Sequence, residues 1–331
     1  MRFFLSTLLL AILLVGGGAY FLLRYPAGPK TAQLVTIAPG LSTWGIGKEL
    51  RKNGVIRSQY AFEVWARIEV GTLKAGTYRF DHPVPLTEVY ERLRRGDVYT
   101  IALTIPEGYN IFDIAQAVER AGLGGDGDFL TAEQQNTDLI RNIDPNAQSL
   151  EGYLFPDTYH VAPNAAPREV LATMVQRFRE AAATLGLQKK NLSSVVTLAS
   201  LVERETPVAA DRPLVAGVFA NRLARRMPLD TDPSVIYAAL LEKRYHGTIY
   251  ASDLKANSAY NTYVHTGLPP GPICNPGLPS LRAAAQPAKT DYLYFVSDPE
   301  HPGHSRFATT LEEHQKNVTA YRNEQHRGSG R

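Results

Sequence analysis

Hydrophobic positions in this chain fall into three patterns. Phe3 to Leu23 runs 21 residues without a charge, about the length that crosses a bilayer core. Further along, Val195, Leu198, Ala199 and Val202 recur at i, i+3, i+4 and i+7, the stripe of an amphipathic helix. Ser193 or Ser194 is expected to cap that helix, and Pro207 to end it. At about 100° per residue, Glu203 and Glu205 fall on opposite flanks of the stripe, and Arg204 points away from it. The helix end thus carries two carboxyls beside apolar surface. A carboxyl in that setting has its pKa raised, as a general acid at neutral pH requires; solvated boundary glutamates are the plainer reading.

The third pattern is a repeat. Val35-Thr36-Ile37-Ala38-Pro39-Gly40 leads into a helical pattern through Ile46 and Leu50 to Gly54. Leu103-Thr104-Ile105-Pro106-Glu107-Gly108 leads through Ile114 and Val118 to Gly122. The pairs Thr36/Thr104, Ile37/Ile105, Gly40/Gly108, Ile46/Ile114, Leu50/Val118 and Gly54/Gly122 keep one offset of 68 positions. Each copy predicts a short strand, a glycine turn and a helix closed by a C′ glycine. Gly76 to Phe80 reads as a strand and Leu86 to Arg94 as a helix. The strand–helix unit resembles a LysM-like module, a small fold that grips the N-acetylhexosamines of cell-wall glycans; a spacer is an equal reading.

The second half predicts a helix from Pro167 to Leu185 and another capped by Asp211. A third begins at Asp232-Pro233, with Asp232 as cap. A proline- and glycine-rich stretch from Asn261 to Gly277 must be an irregular wall. Tyr292–Ser297 and Arg306–Ala308 read as paired strands, and Thr310 with Glu313 as the box opening a last helix.

Arg2 precedes the apolar run, Arg24 follows it, and Tyr20 and Tyr25 sit at interface depth. An uncleaved single-pass anchor is preferred over a signal peptide, because Phe21, Leu22 and Leu23 continue past the small residues Gly17 and Ala19. The short N-terminal tail leaves the bulk of the chain on the outer side of the cytoplasmic membrane. The net charge of +3 is too small and too dispersed for nucleic acid. One cysteine, Cys274, excludes an internal disulfide and any multi-thiolate metal site. His301 and His304 lack a third ligand in sequence, so no metal is expected. There is no phosphate loop, nucleophile elbow or His-Glu-x-x-His. What remains is carboxylate chemistry among tyrosines and asparagines. Glycosidases place two carboxyls about 5–9.5 Å apart across the scissile bond, and Glu203 and Glu205, at i and i+2, do not face each other. A single-glutamate mechanism suits this helix better.

The motifs Leu150-Glu-Gly-Tyr-Leu-Phe-Pro-Asp-Thr-Tyr159, Ala199-Ser-Leu-Val-Glu-Arg-Glu-Thr206, and Asn221-Arg-Leu223 through Leu229-Asp-Thr-Asp-Pro-Ser-Val-Ile-Tyr237 resemble the YceG-like family. So do Asn261-Thr-Tyr263, Gly267 to Gly277 and Tyr292-Leu-Tyr-Phe-Val296. That family comprises the endolytic murein transglycosylases. The resemblance implies an α+β protein: a transmembrane anchor (3–23), a linker (24–34), a LysM-like α+β module (35–98) and a second strand–helix unit (99–148). A larger mixed α/β catalytic domain (149–322) and a disordered tail (323–331) complete it. It implies a lytic reaction on peptidoglycan that needs no cofactor, on nascent strands beside peptidoglycan synthases. It puts the acid/base on the first glutamate of the motif, Glu203, and lines the cleft with Glu151, Tyr153, Asp232, Asn261, Tyr263 and Asn275. A non-catalytic glycan-binding scaffold is the competing expectation. A pyridoxal phosphate lyase is disfavoured, since Lys243, Lys255 and Lys289 offer no Schiff-base setting.

Overall fold

The computed structural model describes residues 2–187 and 191–328. Its contacts divide into two units: Met1–Ile101 with His160–Asn164, and Ala102–Tyr159 with Ala165–Arg331.

In the first unit the apolar run is one helix, α1 (Arg2–Arg24), long and apolar enough to cross a membrane. Strands β1 (Gln33–Ile37) and β2 (Gly76–Phe80) pair antiparallel with Val35 opposite Tyr78. Alternation sends Val35, Ile37, Tyr78 and Phe80 to one buried face. Helices α2 (Thr43–Lys52) and α3 (Gln59–Ile68) lie between these strands in sequence. Ser42 and Ser58 cap them by accepting from Gly45 N and Ala61 N. Leu50 and Phe62 pack into the core with Val89, Tyr90 and Leu93 of α4 (Leu86–Arg95).

The same order recurs: β3 (Ile101–Thr104), α5 (Ile111–Arg120), α6 (Asp126–Gln135), β4 (Thr158–Val161), with β3 paired to β4. Gly40 and Gly108 have φ of +79° and +80°, Gly54 and Gly122 of +68° and +70°, all left-handed turns that glycine makes without strain. Thr36 and Thr104 each meet a threonine across their strand pair, Thr77 and Thr158, at 3.0 Å. The repeat is therefore β-α-α-β twice. Its second copy does not end at 148 as expected; it closes with β4, and α5 and α6 belong to the second unit. A partner strand more than fifty residues downstream leaves no local mark.

The second unit continues through α7 (Pro167–Thr184), α8 (Leu192–Glu205), α9 (Arg212–Ala224), α10 (Asp232–Leu241) and α11 (Leu278–Ala285). An antiparallel pair follows, β5 (Tyr294–Ser297) and β6 (Ser305–Ala308), then α12 (Leu311–Gly328). Helix α8 packs against α9, α10 and α11. Leu198, Ala199 and Val202 are buried as expected, but so are Val196, Thr197, Ser200 and Leu201, so α8 is a central helix rather than a half-buried one. Its polar positions are satisfied: Thr197 Oγ1 donates to Ser193 O, and Ser200 Oγ donates to Thr197 O while accepting from Ile273 N.

Three end-of-helix expectations are corrected. Ser193 and Ser194 lie inside α8, whose cap position is Asn191, and Ser193 Oγ donates instead to Asp144 Oδ2. Asp232 is the first residue of α10 rather than its cap, which is Thr231. Helix α12 runs through Gly328, into the stretch expected to be a tail; positions 329–331 lie outside the described residues. Its start does use the box chemistry: Thr310 Oγ1 accepts from Glu313 N, and Glu313 Oε2 from Thr309 N.

Candidate active site

Helix α8 stops where Thr206 turns extended (φ −137°) ahead of Pro207. Glu203 and Glu205 sit in its last turn, about 200° apart around the axis, and so enter different surroundings.

Glu203 is closed in. Its Oε1 accepts from Arg212 Nη2 at 2.9 Å and its Oε2 from Gly277 N at 2.9 Å. The Glu203 and Arg212 side chains are 5% and 7% exposed. Arg212 opens α9, and its Nη1 lies 3.6 Å from Glu107 Oε2. Glu107 comes from the glycine turn before α5, and burial, then the charge of Glu203, pushes its pKa up. A Cβ on Gly277 would stand 1.9 Å from Glu107 Oε1. Any larger residue there would have to push the Glu107 carboxyl aside, and the Gly277 N–H, at the start of α11, reaches Glu203.

Glu205 faces a cleft of about 430 Å³ lined also by Arg222, Asp230, Asp232, Tyr263, Tyr294 and His314. Burial, then the charge of Asp232, raises its pKa to about 7. Among the described residues no hydrogen bond holds either of its oxygens. Tyr263 Oη donates to Asp232 Oδ1 at 2.7 Å, and burial, then that bond, pushes the phenol's pKa up. Arg222 lies over the Tyr294 ring, 5.3 Å from its centroid, and donates to Asp230 Oδ2 at 3.0 Å. Tyr294 stacks on His314, which burial, then the charge of Arg222, holds below the ordinary imidazole value.

The Asn261-Thr262-Tyr263 motif shows how this cleft is braced. Asn261 Nδ2 donates to the carbonyls of Asp253, Leu254 and Ala256, and its Oδ1 accepts from Tyr263 N. Thr262 Oγ1 accepts from Thr231 N and pairs with Ser234 Oγ at 2.9 Å. These bonds sew the loop to the start of α10, which places Tyr263 on Asp232. Of the expected cleft residues, the structure brings Asp232 and Tyr263 together with Glu205; Asn261 lies beneath them as a brace.

Glu151, Tyr153 and Asn275 are elsewhere, each buried to within a few per cent. Asn275 Nδ2 donates to Glu151 Oε1 (2.7 Å) and Tyr109 O, its Oδ1 accepts from Leu154 N, and Glu151 Oε2 accepts from Ile111 N. Burial raises Glu151 to about 8. Tyr153 Oη donates to Asp144 Oδ2 at 3.1 Å. This cluster ties the 150s loop to the proline-rich wall; Glu151 and Tyr153 also border a separate cavity of about 340 Å³.

Arg212, Arg222, Glu107, Tyr294 and His314 were not named as site residues from the sequence, although Arg222 and Tyr294 lie within the motifs quoted above. Arg212 and Glu107 were visible only as a helix start and a turn: Arg212 reaches Glu203 across the break between α8 and α9, and Glu107 lies about a hundred positions from both. Asp298, Glu300 and His301 could bring ligand atoms within 4.8 Å of one another. Arg306 already pairs with both acids, at 2.8 and 2.9 Å.

Comparison with known proteins agrees with this architecture. The profile of the YceG-like family matches residues 35–320. An endolytic murein transglycosylase of Bacillus subtilis is 35% identical over 312 residues, covering 88% of this chain and 85% of that one. One of Streptococcus pneumoniae is 32% identical, covering 97% of this chain and 65% of its own length. The crystal structure of a YceG-like protein from Listeria monocytogenes superposes with a TM-score of 0.59 at 32% identity, over 87% of this chain and 99% of that chain. With the family match spanning both β-α-α-β copies and the glutamate helix, the chain belongs to the YceG-like family.

Proposed function

We propose that the chain is a peptidoglycan lytic transglycosylase that cleaves within glycan strands, with Glu205 as its single acid/base. The observation that carries this reading is Glu205 itself: an unbonded carboxyl with a pKa of about 7, facing a cleft beside Asp232 and Tyr263. A residue that must both give and take a proton works best with its pKa near the working pH. Glu203, the motif's first glutamate, has both oxygens held, one by a guanidinium. Its role in this reading is to anchor the helix end through Arg212 and Gly277.

Protonated Glu205 donates to the glycosidic oxygen between N-acetylmuramic acid and N-acetylglucosamine as the bond from C1 to that oxygen breaks. The muramoyl 6-hydroxyl oxygen attacks C1, and the Glu205 carboxylate takes its proton. The strand is left with a 1,6-anhydro end, and the acid is restored without water. The nucleophile belongs to the substrate, so one carboxyl suffices. Aromatic faces at Tyr263 and Tyr294 suit sugar rings.

The relatives' names support the substrate class. The β-α-α-β order of the first unit supports a LysM-like module, and α1 supports a membrane anchor with the bulk of the chain on the outer side. The test is digestion of purified peptidoglycan followed by mass spectrometry. Muropeptides one water lighter than hydrolysed ones are expected; reducing-end products would overturn the lytic mechanism, and binding without any product would favour the scaffold reading.

A further inference from the structure

The first unit carries an apolar surface that its own core does not use. On α3, Phe62 points inward and is fully buried. Tyr60, Val64 and Ile68, at i, i+4 and i+8, are 62, 58 and 65% exposed. This spacing makes one stripe. Trp44 of α2 meets Tyr60 edge-on, 5.1 Å between centroids, and is itself exposed. The two charged residues of α3, Glu63 and Arg67, pair with each other at 2.7 Å.

This stripe is continuous with the last turn of α1. Ala19, Leu22 and Leu23 share an apolar groove of about 290 Å³ with Tyr60, Val64, Trp65 and Ile68. Leu23 and Trp65 both pack on the unit's core. Arg57 fixes the junction: it donates to Tyr25 O (2.7 Å) and Pro26 O (2.6 Å) and lies over the Phe21 and Tyr25 rings. The Trp65 Nε1 proton is buried with no partner. A membrane helix must bring its last turn to the bilayer surface, and the stripe is held at that same level. Aromatic residues with one polar end are the side chains that settle at this depth.

We propose that the first unit lies on the bilayer through the exposed face of α3 and Trp44, an interfacial contact added to the spanning helix. The occupant of the groove is lipid at the outer surface of the membrane. This rests on the reading of α1 as a membrane anchor. Its consequence is that the membrane holds the first unit in a fixed orientation, rather than letting it swing from the end of α1.

Trp44 and Trp65 are the chain's only tryptophans, and α1 has none, so selectively excited tryptophan fluorescence reports this region of the first unit alone. The experiment reconstitutes the full chain into phosphatidylcholine–phosphatidylglycerol vesicles whose acyl chains are brominated near the headgroup, with and without Val64→Glu and Ile68→Glu. Both substitutions fall on exposed positions, so folding is preserved. The proposal expects strong quenching in the parent protein and loss of most of it in the double variant. Equal quenching in the two, or none in the parent, overturns it. A carbonate wash separates the causes: protein that resists the wash yet is not quenched retains its anchor and lacks the docking. Protein stripped from the vesicles loses both readings. Disulfide-linked dimers from Val64→Cys in an unquenched sample would assign the stripe to a second copy instead.

Discussion

Glu203 and Glu205 stand two residues apart at the end of one helix and differ in every contact. Glu203 is held by the Arg212 guanidinium at 2.9 Å and by the Gly277 N–H at 2.9 Å, whereas Glu205 faces the Asp232–Tyr263 pair with its pKa raised to about 7. In the proposed reading one carboxyl builds the site, and the other exchanges a proton there.

The pH profile should report Glu205. The reaction starts from the protonated acid, so kcat/KM should fall as pH rises through about 7. Asp232 disfavours ionisation of Glu205, which is why its charge raises that pKa. Asp232→Asn removes the charge, so the falling limb should move to lower pH. A limb that stays in place would mean that another group sets it.

Arg212→Met should leave Glu203 as a buried carboxylate without its partner, a loss of about 3–5 kcal/mol for a buried pair broken on one side. Adding Glu203→Gln should restore part of that stability, since the orphaned charge is then gone. Urea unfolding midpoints for the two singles and the double measure the coupling. Additive losses would show that the pair is not coupled as the 2.9 Å contact requires.

Glu151 should make the fold lose stability as pH rises. Its pKa climbs from 4.5 to about 8 on burial, so the native state holds a proton that the unfolded chain releases. The stabilisation is fully present below about 4.5 and is lost as pH rises through about 8. Glu205, raised to about 7, adds in the same direction. Thermal melts of Glu151→Gln from pH 5 to 9 should therefore show a flatter pH dependence than the parent protein.

The sequence carried whatever depends on neighbours along the chain. Turns at Gly40, Gly54, Gly108 and Gly122, the strand Gly76–Phe80, the limits of α7 and the end of α8 were readable, because glycine conformation and apolar period are local. Long-range pairings were hidden: β4 closing the second repeat, Arg212 reaching Glu107, and Ser200 receiving Ile273 N. The site failed to resolve for the same reason. Helix geometry put the two glutamates on opposite flanks, but which flank met a guanidinium and which met a cleft was decided by α9, α10 and the wall at Gly277. Asp232 looked like a cap because Asp-Pro starts helices; its carboxylate instead takes the Tyr263 proton donor, and only the folded loop brings that phenol near.

The most direct test is to digest purified peptidoglycan with the parent protein, Glu205→Gln and Glu203→Gln, each shown to be folded, and to identify the products by mass spectrometry. The account predicts anhydro-ended fragments from the parent, none from Glu205→Gln, and a reduced yield from Glu203→Gln, whose amide still fills the space beside Arg212. Anhydro products from Glu205→Gln, with none from folded Glu203→Gln, would contradict it and return the proton to Glu203.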